Sequence, residues 1–236
     1  MSVFTSLFII ILAMVIQVSL ELSTGVFAIF YHNAQGNTSA KKADDRALSF
    51  ILGVEICIAI VFLLTYFVIS FFAIEKNFMN STFLWIMSGI FLVESFLALF
   101  WYYRPARKHS NSTKLFLSRK SATSLIHHAE HAKNRSDTIA LGIITSAAEL
   151  LFTLPLYIIC SVEILNISVT SGFVFIIAYI VIATIPLFAI RTFFHSGHNL
   201  AEIQRIRVKK KPFTKATLFI CYLLLTIIVF VTGVTK

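Results

Sequence analysis

Charged residues are scarce in this sequence, and so are cysteine and the helix-breaking residues glycine and proline. Asp, Glu, Lys and Arg make up 13% of the 236 residues, about half the share that soluble domains carry. The three cysteines, Cys57, Cys160 and Cys221, stand singly within apolar segments, without C-x-x-C or Cys-His spacing. These shortages exclude a separate soluble domain and argue against thiol redox chemistry or a cysteine metal centre.

Motifs that carry familiar chemistry are also missing. The sequence contains no P-loop, nucleophile elbow, H-E-x-x-H or G-x-G-x-x-G. The net charge of +9 does not indicate nucleic-acid binding, because the basic residues cluster in loops between apolar segments, where membrane insertion requires them. We therefore expect no enzyme, no cofactor and no nucleic-acid partner.

Long apolar runs dominate what is present. Six of them stand out, at about 3–31, 47–74, 81–103, 138–162, 171–194 and 213–234. At about 1.5 Å per residue, each can cross the roughly 30 Å of hydrocarbon in a lipid bilayer. The sequence predicts an all-α polytopic membrane protein with six transmembrane helices.

The basic residues predict how the helices are oriented. All but two of the 20 lysines and arginines lie in, or at the borders of, the first, third and fifth loops, at 32–46, 104–137 and 195–212. Loops on the cytoplasmic side carry the excess of Lys and Arg. We therefore predict an integral protein of the cytoplasmic (inner) membrane, with these three loops in the cytoplasm and both termini outside.

Two of the apolar segments each contain a carboxylate deep inside, Glu21 in the first and Glu149 in the fourth. Each acid shares one helical face with two polar residues. This gives six candidate ligands for a cation, a proton or a substrate: Gln17, Glu21, Thr24, Thr145, Glu149 and Thr153. A charge within the membrane costs several kcal/mol unless it is paired, hydrated or protonated, and it marks functional sites. The alternative is a protonated Glu that joins neighbouring helices by hydrogen bonds.

Other titratable residues extend the candidate site. Glu55 and Glu94 lie within predicted helices, and Arg191 is the only base near one. This imbalance favours a cationic cargo or protonation over internal salt bridges. In the third loop, His127 and His131 are four residues apart, a spacing at which two histidines on a helix can hold a divalent metal ion. Solvated histidines are the alternative.

Residues that disturb helices follow both deep carboxylates. Ser23-Thr24-Gly25 comes directly after Glu21, and Pro155 comes six residues after Glu149. Each predicts an interruption of its helix. A broken helix frees backbone groups, which is tolerated where they line a cavity or meet another helix.

The order of segments predicts an internal repeat. Three helices (1–103), a basic cytoplasmic loop (104–137) and three more helices (138–236) have the layout of a 3+3 repeat. Because each half has an odd number of spans, the halves insert in opposite senses. Secondary transporters are often built from such inverted repeats, with the site near the midplane at the repeat interface.

This layout resembles a superfamily of six-helix bacterial membrane proteins, the lysine exporters, cadmium-resistance proteins and thiol electron carriers (LysE, CadD and DsbD). The resemblance covers the whole chain as architecture and is local at Gln17–Gly25 and Thr145–Pro155. It implies two three-helix repeats with functional residues on the first and fourth helices. The exporters' Pro-Gly-Pro is absent, with Ser23-Thr24-Gly25 near that place, and the carriers' paired cysteines are absent.

We therefore expect a small secondary transporter, an exporter of a cationic amino acid or a divalent metal ion, with carboxylates on the first and fourth helices as its cation or proton site. A second hypothesis is an integral-membrane scaffold or accessory subunit, which docks partners or anionic lipid through its basic loops. The cargo, the direction of transport, the coupling ion and the oligomeric state, a homo-oligomer included, stay open at this point.

Overall fold

Helices form most of the chain that the structure describes. The structure is a computed structural model, and it describes residues 3–37, 39–73, 81–100, 102–104, 114–115, 123–125, 127–129, 132, 134–167 and 172–235. Its helices are α1 (Val3–Ser19), α2 (Leu22–Asn37), α3 (Ala40–Ala73), α4 (Ser81–Phe100), α5 (Arg135–Ala148), α6 (Leu150–Ile167), α7 (Gly172–His195) and α8 (Leu200–Val234). Two short strands, β1 (Tyr103–Arg104) and β2 (Lys114–Leu115), pair antiparallel within the third loop.

Six spans among the described residues are long and apolar enough to cross a membrane, which confirms the prediction of a six-helix membrane protein. The first span is divided between α1 and α2. The predicted fourth segment is divided between α5 and α6, and α6 alone qualifies as a span. α3 and α8 begin several residues before their apolar runs, because the Lys, Arg and Glu residues that precede the runs are themselves good helix formers.

Large apolar side chains cover the outside of the helices. More than half of the surface of Phe4, Phe71, Leu151, Val174 and Phe213 is exposed. Such coverage would be a liability in water, but it suits contact with lipid tails. The interior is also apolar and strongly aromatic, with Tyr and Phe rings among its largest fully buried side chains.

α4 and α8, the third and sixth spans, pack against each other. The hydroxyl of Ser88 donates a hydrogen bond to the carbonyl of Thr226 at 3.1 Å, and that of Ser95 donates to the carbonyl of Phe219 at 3.5 Å. Apolar contact alone does not favour helix association in lipid, so small residues and hydrogen bonds of this kind stabilise the pair.

α3 and α5 meet backbone to backbone at two glycines. A Cβ at Gly53 would clash with the carbonyl of Ile139, and a Cβ at Gly142 would clash with the carbonyl of Phe50. Small residues permit this close approach, and the van der Waals contact that results stabilises helix pairs in membranes. α3 also packs against α2, α6 and α7, so it connects the two halves of the chain.

Candidate functional site

The first span and the predicted fourth segment are each interrupted at the acidic residue that the sequence singled out. Leu20 and Glu21 separate α1 from α2, and Glu149 separates α5 from α6. The break at Glu149 is a single residue, whose backbone stays in the right-handed helical region (φ −84°, ψ −8°). The predicted positions of both interruptions are wrong, because residues 23–25 form the first turn of α2 and Pro155 lies inside α6.

The physical reasons for these shifts are local. Ser and Thr favour the start of a helix, where their hydroxyls can bond free backbone groups, and the Thr24 hydroxyl donates to the carbonyl of Glu21 at 2.9 Å. Pro155 is tolerated within α6 because neighbouring helices supply hydrogen bonds near it. The Tyr222 hydroxyl of α8 donates to the carbonyl of Phe152 at 2.7 Å.

The carboxylate of Glu149 binds the first turn of α2. Its Oε1 accepts hydrogen bonds from the backbone N–H groups of Leu22 (2.9 Å) and Ser23 (3.1 Å), and its Oε2 accepts one from the Ser23 hydroxyl (2.8 Å). Glu149 is 4% exposed. The N-terminus of a helix has free N–H groups and a partial positive charge, so it stabilises an anion. A residue of the second half of the chain thus caps a helix of the first half.

Glu21 has a different partner, Arg207 of α8. The guanidinium donates to the carbonyl oxygen of Glu21 at 3.1 Å and lies 3.4 Å from its carboxylate. Both side chains are largely buried, with 16% of Arg207 and 12% of Glu21 exposed. The expectation that the acids lack internal salt bridges is therefore wrong for Glu21. Arg207 seemed to belong to the fifth loop, but it lies in the long helix α8 and reaches the break between α1 and α2.

Gly25 makes room for this guanidinium. A Cβ at Gly25 would lie 2.8 Å from both terminal nitrogens of Arg207. Glu149 binds Leu22, the residue next to Glu21, so both carboxylates and the arginine surround the start of α2. We call this group the break site, and it consists of Glu21, Leu22, Ser23, Gly25, Glu149 and Arg207.

The four neutral candidate ligands differ in their hydrogen bonds, and the buried Thr153 hydroxyl has no partner within the described part of the chain. These candidates are Gln17, Thr24, Thr145 and Thr153. Gln17 accepts a hydrogen bond from the Tyr179 hydroxyl at 3.3 Å. Thr145 is buried and its hydroxyl donates to carbonyls of its own helix, while Thr24 bonds Glu21 as described above. Thr153 is buried one turn after Glu149. Of the four, only Thr24 contacts the break site through a hydrogen bond of its side chain.

The two additional acids have different surroundings. Glu55 accepts a hydrogen bond from the Thr184 hydroxyl of α7 at 3.3 Å. Glu94 is 4% exposed on the side of α4 that faces α8, and its Oε2 has no hydrogen-bond partner within the described part of the chain. The sequence offered no reason to distinguish these two acids. In the structure Glu55 has a hydrogen-bond partner, whereas the Oε2 of Glu94 has none within the described part of the chain.

Only one residue of the proposed histidine pair lies among the described residues. His127 is exposed, and His131 lies outside the described residues. Across the residues that are described, no three His, Cys, Asp or Glu side chains gather closely enough to hold a metal ion. The metal hypothesis for His127 and His131 therefore stays a prediction.

Sequence reasoning missed an ion-pair cluster where α3 begins and α7 ends. The Arg191 guanidinium donates to both carboxylate oxygens of Asp44, at 2.6 and 2.7 Å, and the His195 Nε2 lies 3.0 Å from the same carboxylate. The hydroxyl of Tyr31, on α2, lies 3.5 Å from Asp44 and 3.3 Å from His195. This Asp44 cluster joins three helices. Arg191 near the end of a span was the only sequence signal for it.

Glu163 was also missed, because the sequence placed it in the fourth loop. In the structure it is fully buried within α6, and it accepts hydrogen bonds from the Ser6 hydroxyl (2.7 Å) and the Asn166 amide (3.3 Å). Arg135, the first residue of α5, and Glu163 lie on opposite sides of Glu149 in sequence, at equal numbers of residues from it. At about 1.5 Å per residue, each stretch measures roughly 21 Å. The break site thus lies near the middle of the combined length of α5 and α6.

Comparisons of this chain with models of protein families, with curated proteins and with solved structures find no match. The function must therefore be argued from the arrangement of the chain's own residues.

Proposed function

We propose that this protein is a small secondary membrane transporter, an exporter of a cationic amino acid or a divalent metal ion, with its cation or proton site at the break site. Interrupted helices with an ionisable residue near the midplane are a recurring device of secondary transporters. Intramembrane acids that face the interior mark ion and proton pathways in such proteins.

One observation carries the proposal. The first span and the predicted fourth segment are each interrupted at an acidic residue, and the carboxylate at one interruption binds the helix that starts at the other. A bond of this kind does not require a ligand to be stable, but it holds the two interrupted points of the backbone together. A cation that bound Glu149 would compete with the N-terminus of α2, so binding could be coupled to movement of α2.

The charges of the break site suit an amino acid best. Glu21 and Glu149 match the ammonium or guanidinium group of a cationic amino acid. Arg207 and the N-terminus of α2 match its α-carboxylate, since both stabilise anions. A divalent metal ion would use the two carboxylates but not the arginine. For this reason lysine and arginine are the cargoes to test first.

Counterflow in proteoliposomes tests the proposal. Liposomes that contain the protein and unlabelled lysine are placed in radiolabelled lysine, and the initial rate of exchange is measured. Glu149→Gln keeps an acceptor for α2 but removes the charge, and Glu21→Gln does the same beside Arg207. We expect each to lower the rate about tenfold or more, as loss of a hydrogen bond to a charged group would.

Glu163→Gln is the matched control, because Glu163 is as buried as Glu149 and lies on α6, the helix that begins directly after Glu149, but away from the break site. It should exchange lysine at a rate close to that of the wild type. Folded Glu21→Gln and Glu149→Gln proteins that exchange at the wild-type rate would show that the site is wrong. A wild-type protein that exchanges neither lysine, arginine nor divalent metal ions would show that the function is wrong.

We also propose the finer architecture that the sequence indicated: a 3+3 inverted repeat of 1–103 and 138–236, in the cytoplasmic membrane, with the basic segments 32–46, 104–137 and 195–212 on the cytoplasmic side. Residues 200–212 of the last segment form the first turns of α8. Three observations support this architecture. The interruptions fall in the first predicted segment of each half, the third spans of the two halves pair with each other, and α3 of the first half packs on α5 and α6 of the second.

The scaffold hypothesis has an observation of its own in its favour. Glu21 and Glu149 each have a protein partner, so neither needs a ligand. In addition, the start of α8 exposes Lys209 and Lys210, which could bind anionic lipid or an acidic partner. A scaffold would show no counterflow, and a co-purifying partner would be lost when residues 209–211 are neutralised.

A further inference from the structure

Glu94 is the most isolated acid among the described residues of the spans. It lies within α4, with only 4% of its surface exposed, and its Oε2 has no hydrogen-bond partner in the described parts of the chain. Glu163 is equally buried but receives hydrogen bonds from Ser6 and Asn166. Burial alone therefore does not explain the isolation of Glu94.

The groups that could donate to Glu94 already bond elsewhere. Ser95, the next residue, donates to the carbonyl of Phe219, and the Tyr222 hydroxyl donates to the carbonyl of Phe152. The titratable groups of α8 near this level of α4 are Cys221 and Tyr222, which are neutral in their ordinary state, and the partly buried Lys215, which lies one turn before Phe219. Lys215 does not balance the Glu94 carboxylate through a hydrogen bond at Oε2, since that oxygen has no partner within the described part of the chain.

The ligand that such a site can take is a proton. An unpaired carboxylate within the membrane costs several kcal/mol, and protonation removes that cost. A metal ion would need several converging oxygen ligands, whereas Glu94 presents one carboxyl group beside hydroxyls that are committed to carbonyl oxygens. Protonation changes only one bond, since the carboxylate oxygen and the proton form an O–H group and the reverse step returns the proton to water.

Glu94 is also placed to sense the break site. On either side of Glu94 in α4, the Phe91 ring lies 6.4 Å from the Tyr222 ring and the Ser95 hydroxyl bonds the carbonyl of Phe219. The Tyr222 hydroxyl in turn bonds the carbonyl of Phe152, three residues after Glu149. Through this contact a change of charge on Glu94 would act on the first turn of α6, next to the break at Glu149.

We propose that Glu94 is a proton-binding site separate from the break site, and that its proton is the coupling ion of the transporter. The coupling rests on the proposed transport function, but proton binding by Glu94 does not. The two parts can therefore be tested apart.

Dicyclohexylcarbodiimide tests the first part without any cargo. This apolar reagent enters membranes and modifies carboxyl groups in their protonated form, and the labelled residue is identified by peptide mass spectrometry. We expect Glu94 to be labelled at low pH, with labelling that declines as the pH rises. The label should disappear in Glu94→Gln and return in Glu94→Asp.

Absence of label at Glu94, or labelling that does not change with pH, would overturn the proposal, since the residue would then be either permanently charged or permanently neutral. Glu94→Asp keeps the result decisive if Glu94→Gln fails to fold.

Coupling is measured in liposomes of phosphatidylethanolamine and phosphatidylglycerol that contain the pH dye pyranine. Addition of a lysine gradient should move protons across the membrane with the wild-type protein. Glu94→Gln should still exchange lysine for lysine but move no protons. Proton movement at the wild-type rate in Glu94→Gln would refute the coupling role. If the wild type moves no lysine at all, the proposed function fails, and the labelling result still decides whether Glu94 binds a proton.

Discussion

At the scale of single residues, the break site depends on a glycine as much as on its charged groups. The guanidinium of Arg207 occupies the space that a side chain at position 25 would need. The obstacle to a larger residue is the end of a flexible side chain and not backbone, so the helix could keep its shape while the arginine moved away. Loss of the Glu21–Arg207 contact would then be the main effect of a substitution.

Gly25→Ala should therefore reproduce the effect of Arg207→Gln. Both changes separate the guanidinium from Glu21, and we expect both to lower lysine counterflow by a similar factor, about tenfold. Gly36→Ala is the control, because no described atom lies within 4 Å of its Cβ in the same helix α2. It should leave transport unchanged. Normal counterflow in Gly25→Ala, with Arg207→Gln inactive, would contradict this account.

The candidate site shows what sequence can and cannot predict about residues. Glu21 and Glu149 were found because a carboxylate in an apolar run is conspicuous. Their partners were not, because Arg207 is far away in sequence and lies in what looked like a loop. Glu163 was missed for a related reason, since it follows the apolar run and only the structure shows the helix continuing past it.

At the scale of helices, the Asp44 cluster fixes the relative position of α2, α3 and α7. Asp44 and Arg191 form two parallel hydrogen bonds, and about a quarter of each side chain is exposed. The neighbouring pair Asp45 and Arg135 makes one contact at 3.0 Å with far more exposure, 40% and 71%. Bidentate and partly buried pairs stabilise more than exposed ones.

Double-mutant cycles to alanine should separate these two pairs. We expect a coupling energy of about 1–3 kcal/mol for Asp44 with Arg191, because the bonds are charge-assisted and shielded from solvent. Asp45 with Arg135 should give roughly 0.2–1 kcal/mol, as exposed pairs do. Thermal unfolding in detergent, followed by tryptophan fluorescence, provides the measurement. Equal coupling energies for the two pairs would mean that the Asp44 cluster contributes no more than an ordinary surface contact.

The sequence predicted which segments form helices, but it did not predict where those helices begin and end. Apolar length located all six spans, because the bilayer imposes a minimum length on each. The ends of α3 and α8 were misjudged, since the helices continue through charged residues beyond the apolar runs. The interruptions were placed at the wrong residues, since a break depends on which groups of other helices take up the free hydrogen bonds.

At the scale of the whole molecule, the distribution of charge predicts a single orientation. The Asp44 cluster and the Asp45–Arg135 pair both lie where basic loops meet helices, and Glu163 with Ser6 lies toward the other end of α6. Lysine and arginine are retained on the cytoplasmic side during insertion. The end with the ion pairs should therefore face the cytoplasm.

Reporter fusions check this orientation. Alkaline phosphatase, which is active only outside the cytoplasm, should be active when fused after the last residue and inactive when fused within the loop 104–137. Green fluorescent protein, which folds in the cytoplasm, should show the opposite pattern at the same two positions. Fluorescence of the carboxyl-terminal fusion would mean that the orientation is reversed.

The glycine contact between α3 and α5 has a mechanical consequence. At Gly53 and Gly142 the two helices touch through their backbones, so no side chains are available there to slide past each other or change rotamer. α3 and α5 should consequently turn as one rigid lever. Any rocking of the bundle would then bend the chain where the backbone already departs from a regular helix, at Leu20–Glu21 and at Glu149, and these two points would serve as its hinges.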